Sequence, residues 1–124
     1  MAEEVKTVEI RFHGRGGQGV VTASKLLAEA AMKEGKYFQA LPEYGAERMG
    51  APIRAYIRIS SSPIMPHCQV TQPNIVVAID PTLLGTVNIT DGMTDGGMLV
   101  VNSTLSPAEV REKLGYRKGK VCAV

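Results

Sequence analysis

Gly14, Gly16 and Gly19 fit the spacing G-x-G-x-x-G inside the stretch HGRGGQGV, residues 13–20, where Gly17 adds a fourth glycine. Glycine at such places permits positive φ, lets the backbone come close to a ligand, and lets a helix pack tightly against the strand before it. A helix opening just after the turn would offer unpaired N–H groups and a partial positive charge, which together suit a phosphate. Arg15 would add a charge-assisted contact and Gln18 a neutral donor. The plainer alternative is a tight turn that serves only helix packing, so the motif gains meaning from a strand before it and a helix after it.

Two familiar uses of such a turn fail on what is missing. The frame from Gly14 to Gly19 also has the glycine spacing of a P-loop, but Val20 and Val21 stand where the lysine and the hydroxyl residue belong. Nothing there would reach a terminal phosphate or hold magnesium, so nucleoside triphosphate hydrolysis is disfavoured. A dinucleotide site wants an acid at the end of the second strand to bind ribose hydroxyls. That strand reads QALPEYG, with Gln39 and Leu41 where the acid belongs and Glu43 only after a proline, which demotes NAD.

Other chemistry fares worse. His67, Cys68 and Cys122 show neither C-x-x-C nor paired His spacing, so no metal or iron–sulfur site is expected in this chain. Ser60 to Ser62 lack a nucleophile elbow, and no nucleophile with an adjacent base is evident; no residue is assigned a catalytic role. The segment PEYGAERMGAP, residues 42–52, combines prolines, glycines and charges too densely for the interior of an element and reads as a structured loop. Its Glu43, Tyr44, Glu47 and Arg48 fit an interface or a ligand contact, with a solvated, salt-bridged loop as the alternative. Asp80 falls at the carboxyl end of a central strand, the edge where open α/β sheets bind ligands; capping before Pro81 would explain it equally.

The elements that must position these residues follow from periodicity. VKTVEIRF, residues 5–12, alternates as a strand with a buried face, and Val20, Ala23, Leu27, Ala30 and Ala31 recur at helical spacing to Glu34, where Gly35 suits a left-handed cap. KYFQAL follows as a strand, and a strand, turn, helix and strand in that order calls for a parallel sheet. IRAYIRIS alternates Ile53, Ala55, Ile57 and Ile59 with Arg54, Tyr56 and Arg58, giving a strand with one polar face. SSSPIMPHCQVTQP is a turn-rich connection with room for a short hairpin arm. NIVVAID and MLVVN read as central strands, residues 82–88 as a short helix, and residues 107–114 as a helix capped by Ser106 with Pro107 in its first turn. KVCAV begins as a strand where the sequence stops. The fold expected is a three-layer, Rossmann-like α/β domain with a mostly parallel or mixed central sheet, spanning residues 1–124 as one unit.

Composition agrees with one globular domain: 124 residues, 44% hydrophobic, are enough to bury a core. The net charge is +2, and the lysines and arginines are scattered instead of lying in a stripe that would track a nucleic acid backbone. The N-terminal sequence MAEEVKTVEI has neither the basic start nor the apolar core of a secretory signal, and two cysteines make no disulfide framework, so the chain reads as cytoplasmic. No apolar run approaches the roughly 20 residues of a membrane span.

GRGGQG opening the first helix, PEYGAERMGAPIRAYIRIS after the second strand and VVAIDPTLL after the third apolar run together resemble the gamma subunit of 2-oxoacid:ferredoxin oxidoreductases, the pyruvate synthase type in particular. In the pyruvate type that loop usually carries Arg where this chain has Met49. The resemblance implies a subunit of an enzyme that converts a 2-oxoacid, coenzyme A and oxidised ferredoxin into acyl-CoA, carbon dioxide and reduced ferredoxin. It implies alpha, beta and delta partner subunits, with thiamine diphosphate, Mg2+ and the iron–sulfur clusters on those partners only. It implies for this chain a part in binding coenzyme A and in packing beside the active site, which agrees with the reading of Gly14, Arg15, Gly16, Gly17, Gln18 and Gly19 as a phosphate cradle. Relatives acting on 2-oxoglutarate or branched-chain 2-oxoacids, a purely structural packing subunit, and a stand-alone dinucleotide-binding domain are the competing readings. Gamma subunits of this kind are longer than 124 residues, so a C-terminally truncated domain is expected.

Overall fold

The computed structural model describes residues 7–43, 51–63 and 72–124. Among the described residues six strands form one sheet: β1 (Thr7–Arg15), β2 (Tyr37–Glu43), β3 (Pro52–Ser60), β4 (Ile75–Ala78), β5 (Met98–Val101) and β6 (Lys120–Ala123), in the order β2-β3-β1-β4-β5-β6. Helix α1 (Val20–Lys33) joins β1 to β2, a 3-10 turn at Pro81–Gly85 follows β4, and α2 (Pro107–Leu114) joins β5 to β6.

The sheet is mixed. β1, β4, β5 and β6 pair in parallel, as their central apolar runs suggest, but β3 lies antiparallel to both β1 and β2. β1 and β2 therefore run the same way, as a helical crossover requires, yet share no ladder; β3 is wedged between them. The mixed sheet is as expected, but the direct parallel pairing suggested for the first forty residues is corrected on that point. Alternation alone could not reveal it, because a strand's two faces look the same whichever way its neighbour runs.

The two faces divide the core. Ile10, Phe12, Ala55 and Ile57 meet Val20 under α1, with Ile75, Val77 and Ile79 alongside. Val76, Ala78, Leu99 and Val101 point the other way and meet Leu84, Ile89, Met93, Val110 of α2 and Tyr116. Since residues 75–79 supply the two clusters alternately, α1 and α2 cover opposite faces, and the three expected layers are present. α1 overlies the β2-β3-β1 half, while Met98 and Cys122 on the same face of the other half are exposed.

Local chemistry sets the ends of the helices. α2 opens with a capping box, in which Ser106 Oγ accepts from the Glu109 N–H while Glu109 reaches back to the Ser106 N–H, and Pro107 occupies the first turn. α1 has no side-chain cap at its start, where Gly19 takes φ 84°, and it closes before Gly35 at φ 74°. β1 does not end at Phe12 as its alternation suggests. It continues to Arg15, so Gly14 is a strand residue paired with Ile53, and the turn proper is only Gly16 to Gly19.

Gly14 decides how close α1 can come. A Cβ at that position would lie 2.3 Å from Val20 Cγ2, and Val20 is fully buried. Gly14→Ala is therefore expected to cost about 1–3 kcal/mol by overpacking. Urea denaturation should show the penalty shrinking when Val20→Ala is added, because the double variant removes the methyl group that the new Cβ meets. Equal penalties in the two backgrounds would overturn this account of Gly14.

Candidate functional site

The crossover from β1 leaves on one face, and the connection from β4 leaves on the other. The carboxyl ends of these two adjacent parallel strands therefore frame a crevice at a topological switch point, where open α/β sheets take their ligands. The glycine turn lies at one lip and Asp80 at the other. Ile79 N–H donates to the His13 carbonyl (2.8 Å) and Asn102 Nδ2 donates to the Ile79 carbonyl (3.0 Å), which fixes Asp80 opposite the turn.

A ring of polar contacts spans the crevice. Asp80 Oδ1 accepts from the Thr82 N–H (2.8 Å) and the Thr82 hydroxyl (2.7 Å), capping the 3-10 turn. Its Oδ2 accepts from Gln18 Nε2 at 2.7 Å and lies 3.3 Å from Arg15 Nε, which also donates to Thr82 Oγ1 at 3.1 Å. Gln18 Oε1 turns back to accept the Arg15 N–H at 2.8 Å. The bonds from the Thr82 side chain, the Thr82 backbone and Gln18, together with Arg15, outweigh desolvation and hold the Asp80 carboxyl below its ordinary pKa. Asp80 caps the 3-10 turn, and it stands just past the carboxyl end of β4, where the sequence placed it.

The expected donors are thus differently placed. Arg15 and Gln18 are turned onto Asp80, and the Gly16 N–H donates to the Ala51 carbonyl at 2.9 Å. Gly17 and Gly19 take φ 89° and 84°. The first intrahelical bond is from the Ala23 N–H to the Gly19 carbonyl, which leaves the N–H groups of Val20, Val21 and Thr22 without an intrahelical acceptor. An open cleft of about 330 Å³, lined by Gly17, Gly19, Val20, Val21, Thr22 and Ile53, lies at that helix end.

β2 reaches Glu43, so an acid does end the second strand. With β3 between β2 and β1, it stands two strand spacings from the turn, about 10 Å. The strand beside the turn offers Pro52 and Ile53 instead, which keeps the ribose-binding geometry of a dinucleotide site from forming. Tyr44, Glu47 and Arg48 lie outside the described residues, as do His67 and Cys68. Among the described residues no three His, Cys, Asp or Glu side chains converge as a metal site would need, and no helix is long and apolar enough to cross a membrane.

A second polar constellation went unread in the sequence. Arg11 and His13 lie on the face opposite α1 and are 4% and 2% exposed. Arg11 Nε donates to His13 Nε2 (2.8 Å), while Nη2 donates to the carbonyls of Ile89 (2.8 Å) and Asp91 (2.7 Å), tying the connection after the 3-10 turn to the sheet. Beside them the Arg58 guanidinium meets Glu9 at 3.0 Å and Gln39 at 2.8 Å. The polar face expected for β3 is present, but Tyr56 and Arg58 are buried on it.

This arrangement defines a mixed α/β domain with a glycine-lined cleft at the start of its first helix. The model for the family of pyruvate ferredoxin/flavodoxin oxidoreductases matches residues 9–124, and the chain belongs to that family. It is 54% identical over 117 residues to the pyruvate/ketoisovalerate oxidoreductases common subunit gamma of Thermococcus kodakarensis, covering 94% of this chain and 63% of the relative. It is 50% identical over 119 residues to the pyruvate synthase subunit PorC of Thermotoga maritima, covering 96% of this chain and 61% of that one. The crystal structure of the Thermotoga maritima pyruvate oxidoreductase subunit PORC superposes with a TM-score of 0.81 at 49% identity, covering 96% of this chain and 62% of that one. A 2-oxoglutarate:ferredoxin oxidoreductase from Magnetococcus marinus shares the fold, with a TM-score of 0.69 at 22% identity over 98% of this chain and 20% of that one. The chain spans less than two-thirds of the length of the curated relatives it matches.

The buried His13 sets a pH dependence. Burial first, then the charges of Arg11 and Arg54, lower its pKa from 6.5 to about 3, so it is neutral and accepts the Arg11 N–H. The unfolded chain takes up this proton below about pH 6.5 and the folded chain does not until near 3. The contribution is therefore full above 6.5 and is lost as pH falls toward 3, at up to about 1.4 kcal/mol per pH unit. Denaturation curves between pH 6.5 and 4.5 should show a shallower loss of stability in His13→Gln, whose side-chain oxygen can still accept from Arg11; parallel slopes would refute the assignment.

Proposed function

We propose that the chain is the gamma subunit of a 2-oxoacid:ferredoxin oxidoreductase, with pyruvate as the favoured substrate, and that it helps bind coenzyme A without performing the chemistry. The observation that carries this reading is the uncapped start of α1, opening on a glycine-lined cleft between the turn and Ile53 of β3. Main-chain N–H groups of Val20, Val21 and Thr22 would hold the pyrophosphate, and no ribose-binding acid is needed. The Magnetococcus marinus enzyme of the same fold carries coenzyme A and succinyl-CoA in its structure. One gamma subunit shared by pyruvate and ketoisovalerate enzymes, as the Thermococcus relative's name says of it, fits a subunit that does not select the oxoacid.

The division of labour follows from chemistry. Decarboxylating a 2-oxoacid requires an electron sink for the carbanion left behind, which side chains do not supply and thiamine diphosphate does. Passing electrons to ferredoxin requires clusters that take four thiolates, and the sequence holds two cysteines. Alpha, beta and delta subunits would bring these groups with Mg2+, and the loop from Pro42 to Pro52 would pack against them.

Thr22→Glu separates ligand binding from folding. Thr22 is exposed in the first turn of α1, where a carboxylate favours the helix dipole by about 0.3–1 kcal/mol and repels an incoming phosphate. Calorimetry on the complex purified with this subunit should show coenzyme A binding weakened by about tenfold or more while the melting temperature holds or rises. Unchanged affinity would overturn the coenzyme A assignment and leave the packing role.

A further inference from the structure

We propose that Asp80 is the positioning residue of the glycine turn, holding Arg15 and Gln18 so that the Gly16–Gly19 backbone stays open toward a phosphate-bearing ligand. The ligand class rests on the coenzyme A reading; the latch itself does not. A cap on the 3-10 turn needs only one carboxylate oxygen, and Oδ1 provides it through both Thr82 contacts. Oδ2 faces the other way, receiving Gln18 Nε2 at 2.7 Å with Arg15 Nε at 3.3 Å, and capping does not account for that.

The turn needs such a restraint. Two of its four residues are glycines at positive φ, with no side chain to pack and a high entropy cost of ordering. Gln18 contributes the one side chain of the turn that reaches across the crevice, and its two ends bind Asp80 and the Arg15 N–H. The carboxylate is in turn anchored through Ile79 and Asn102 to β1 and β5. A bare carboxylate here would repel an anion; pairing with Arg15 balances its charge beside the cleft.

The ligand-free full chain tests the latch. Asp80→Asn keeps an oxygen for Thr82 but replaces the second acceptor by an NH2 that cannot receive Gln18 or pair with Arg15. Hydrogen exchange followed by NMR should quicken by about tenfold at the Arg15, Gly16 and Gln18 amides, the Thr82 amide staying protected. Gln18→Leu should quicken Arg15 and Gly16 with Asp80 intact. Adding Gln18→Glu to Asp80→Asn lets the new side-chain amide at position 80 donate to a carboxylate and should restore protection to within about threefold of the parent. Unchanged exchange in Asp80→Asn, or a loss that includes Thr82 and is not rescued, would overturn the proposal in favour of capping alone. If exchange responds while Thr22→Glu leaves coenzyme A binding intact, the latch stands and the ligand reading falls; the reverse pattern removes the latch and keeps the ligand.

Discussion

Helix α1 begins where it does because Gly14 has no side chain. Val20 seats itself over the end of β1 in the space a Cβ would fill, and that contact draws the helix start down onto the sheet. The connecting turn can then be only four residues long, and the first-turn N–H groups of α1 lie just beyond the end of β1. The glycines of this motif do separate jobs: Gly14 permits the approach, Gly17 and Gly19 supply left-handed backbone, and the Gly16 N–H ties the turn to Ala51.

The two faces of the sheet solve burial in different ways. Under α1 the rows are aliphatic and gain from leaving water. On the other face the β2-β3-β1 half carries a polar layer in which buried Arg11, His13 and Arg58 and half-buried Glu9 and Gln39 gain by meeting one another. Burial lowers the pKa of Arg11, opposed by Tyr56 and Asp91, and two backbone carbonyls compensate its lost hydration. Such a layer stabilises only when it is complete. Neutral His13 completes it, because an imidazolium there would have nothing to offer the Arg11 N–H.

Local signals in the sequence were readable where a few neighbouring residues decide the outcome. The Ser106-Pro107-Glu109 start of α2, the left-handed close of α1 at Gly35 and the unbroken runs of β4 and β5 are of this kind. Strand direction was not, since the wedge of β3 depends on partners far along the chain. Burial of Arg11 and His13 was hidden for the same reason: the carbonyls that satisfy Arg11 belong to Ile89 and Asp91, 78 and 80 residues away. At the candidate site the glycine spacing and the place of Asp80 were legible, whereas the turning of Arg15 and Gln18 onto that carboxylate required the parallel pairing of β1 with β4 to bring them together.

The wedge of β3 also makes the amino-terminal unit depend on a later part of the chain. β1, α1 and β2 are consecutive in the chain, yet the two strands exchange no backbone hydrogen bond, so this unit has no sheet of its own. Ala55 and Ile57, both wholly buried beneath α1, arrive with β3. The floor beneath the helix of the amino-terminal third is therefore incomplete without residues 52–60. Only closure of the loop across the intervening segment brings Ala55 and Ile57 to complete the cluster that Ile10 and Phe12 begin. A nascent chain released before Ser60 would hold every residue of the turn and none of the shape that makes it a cleft.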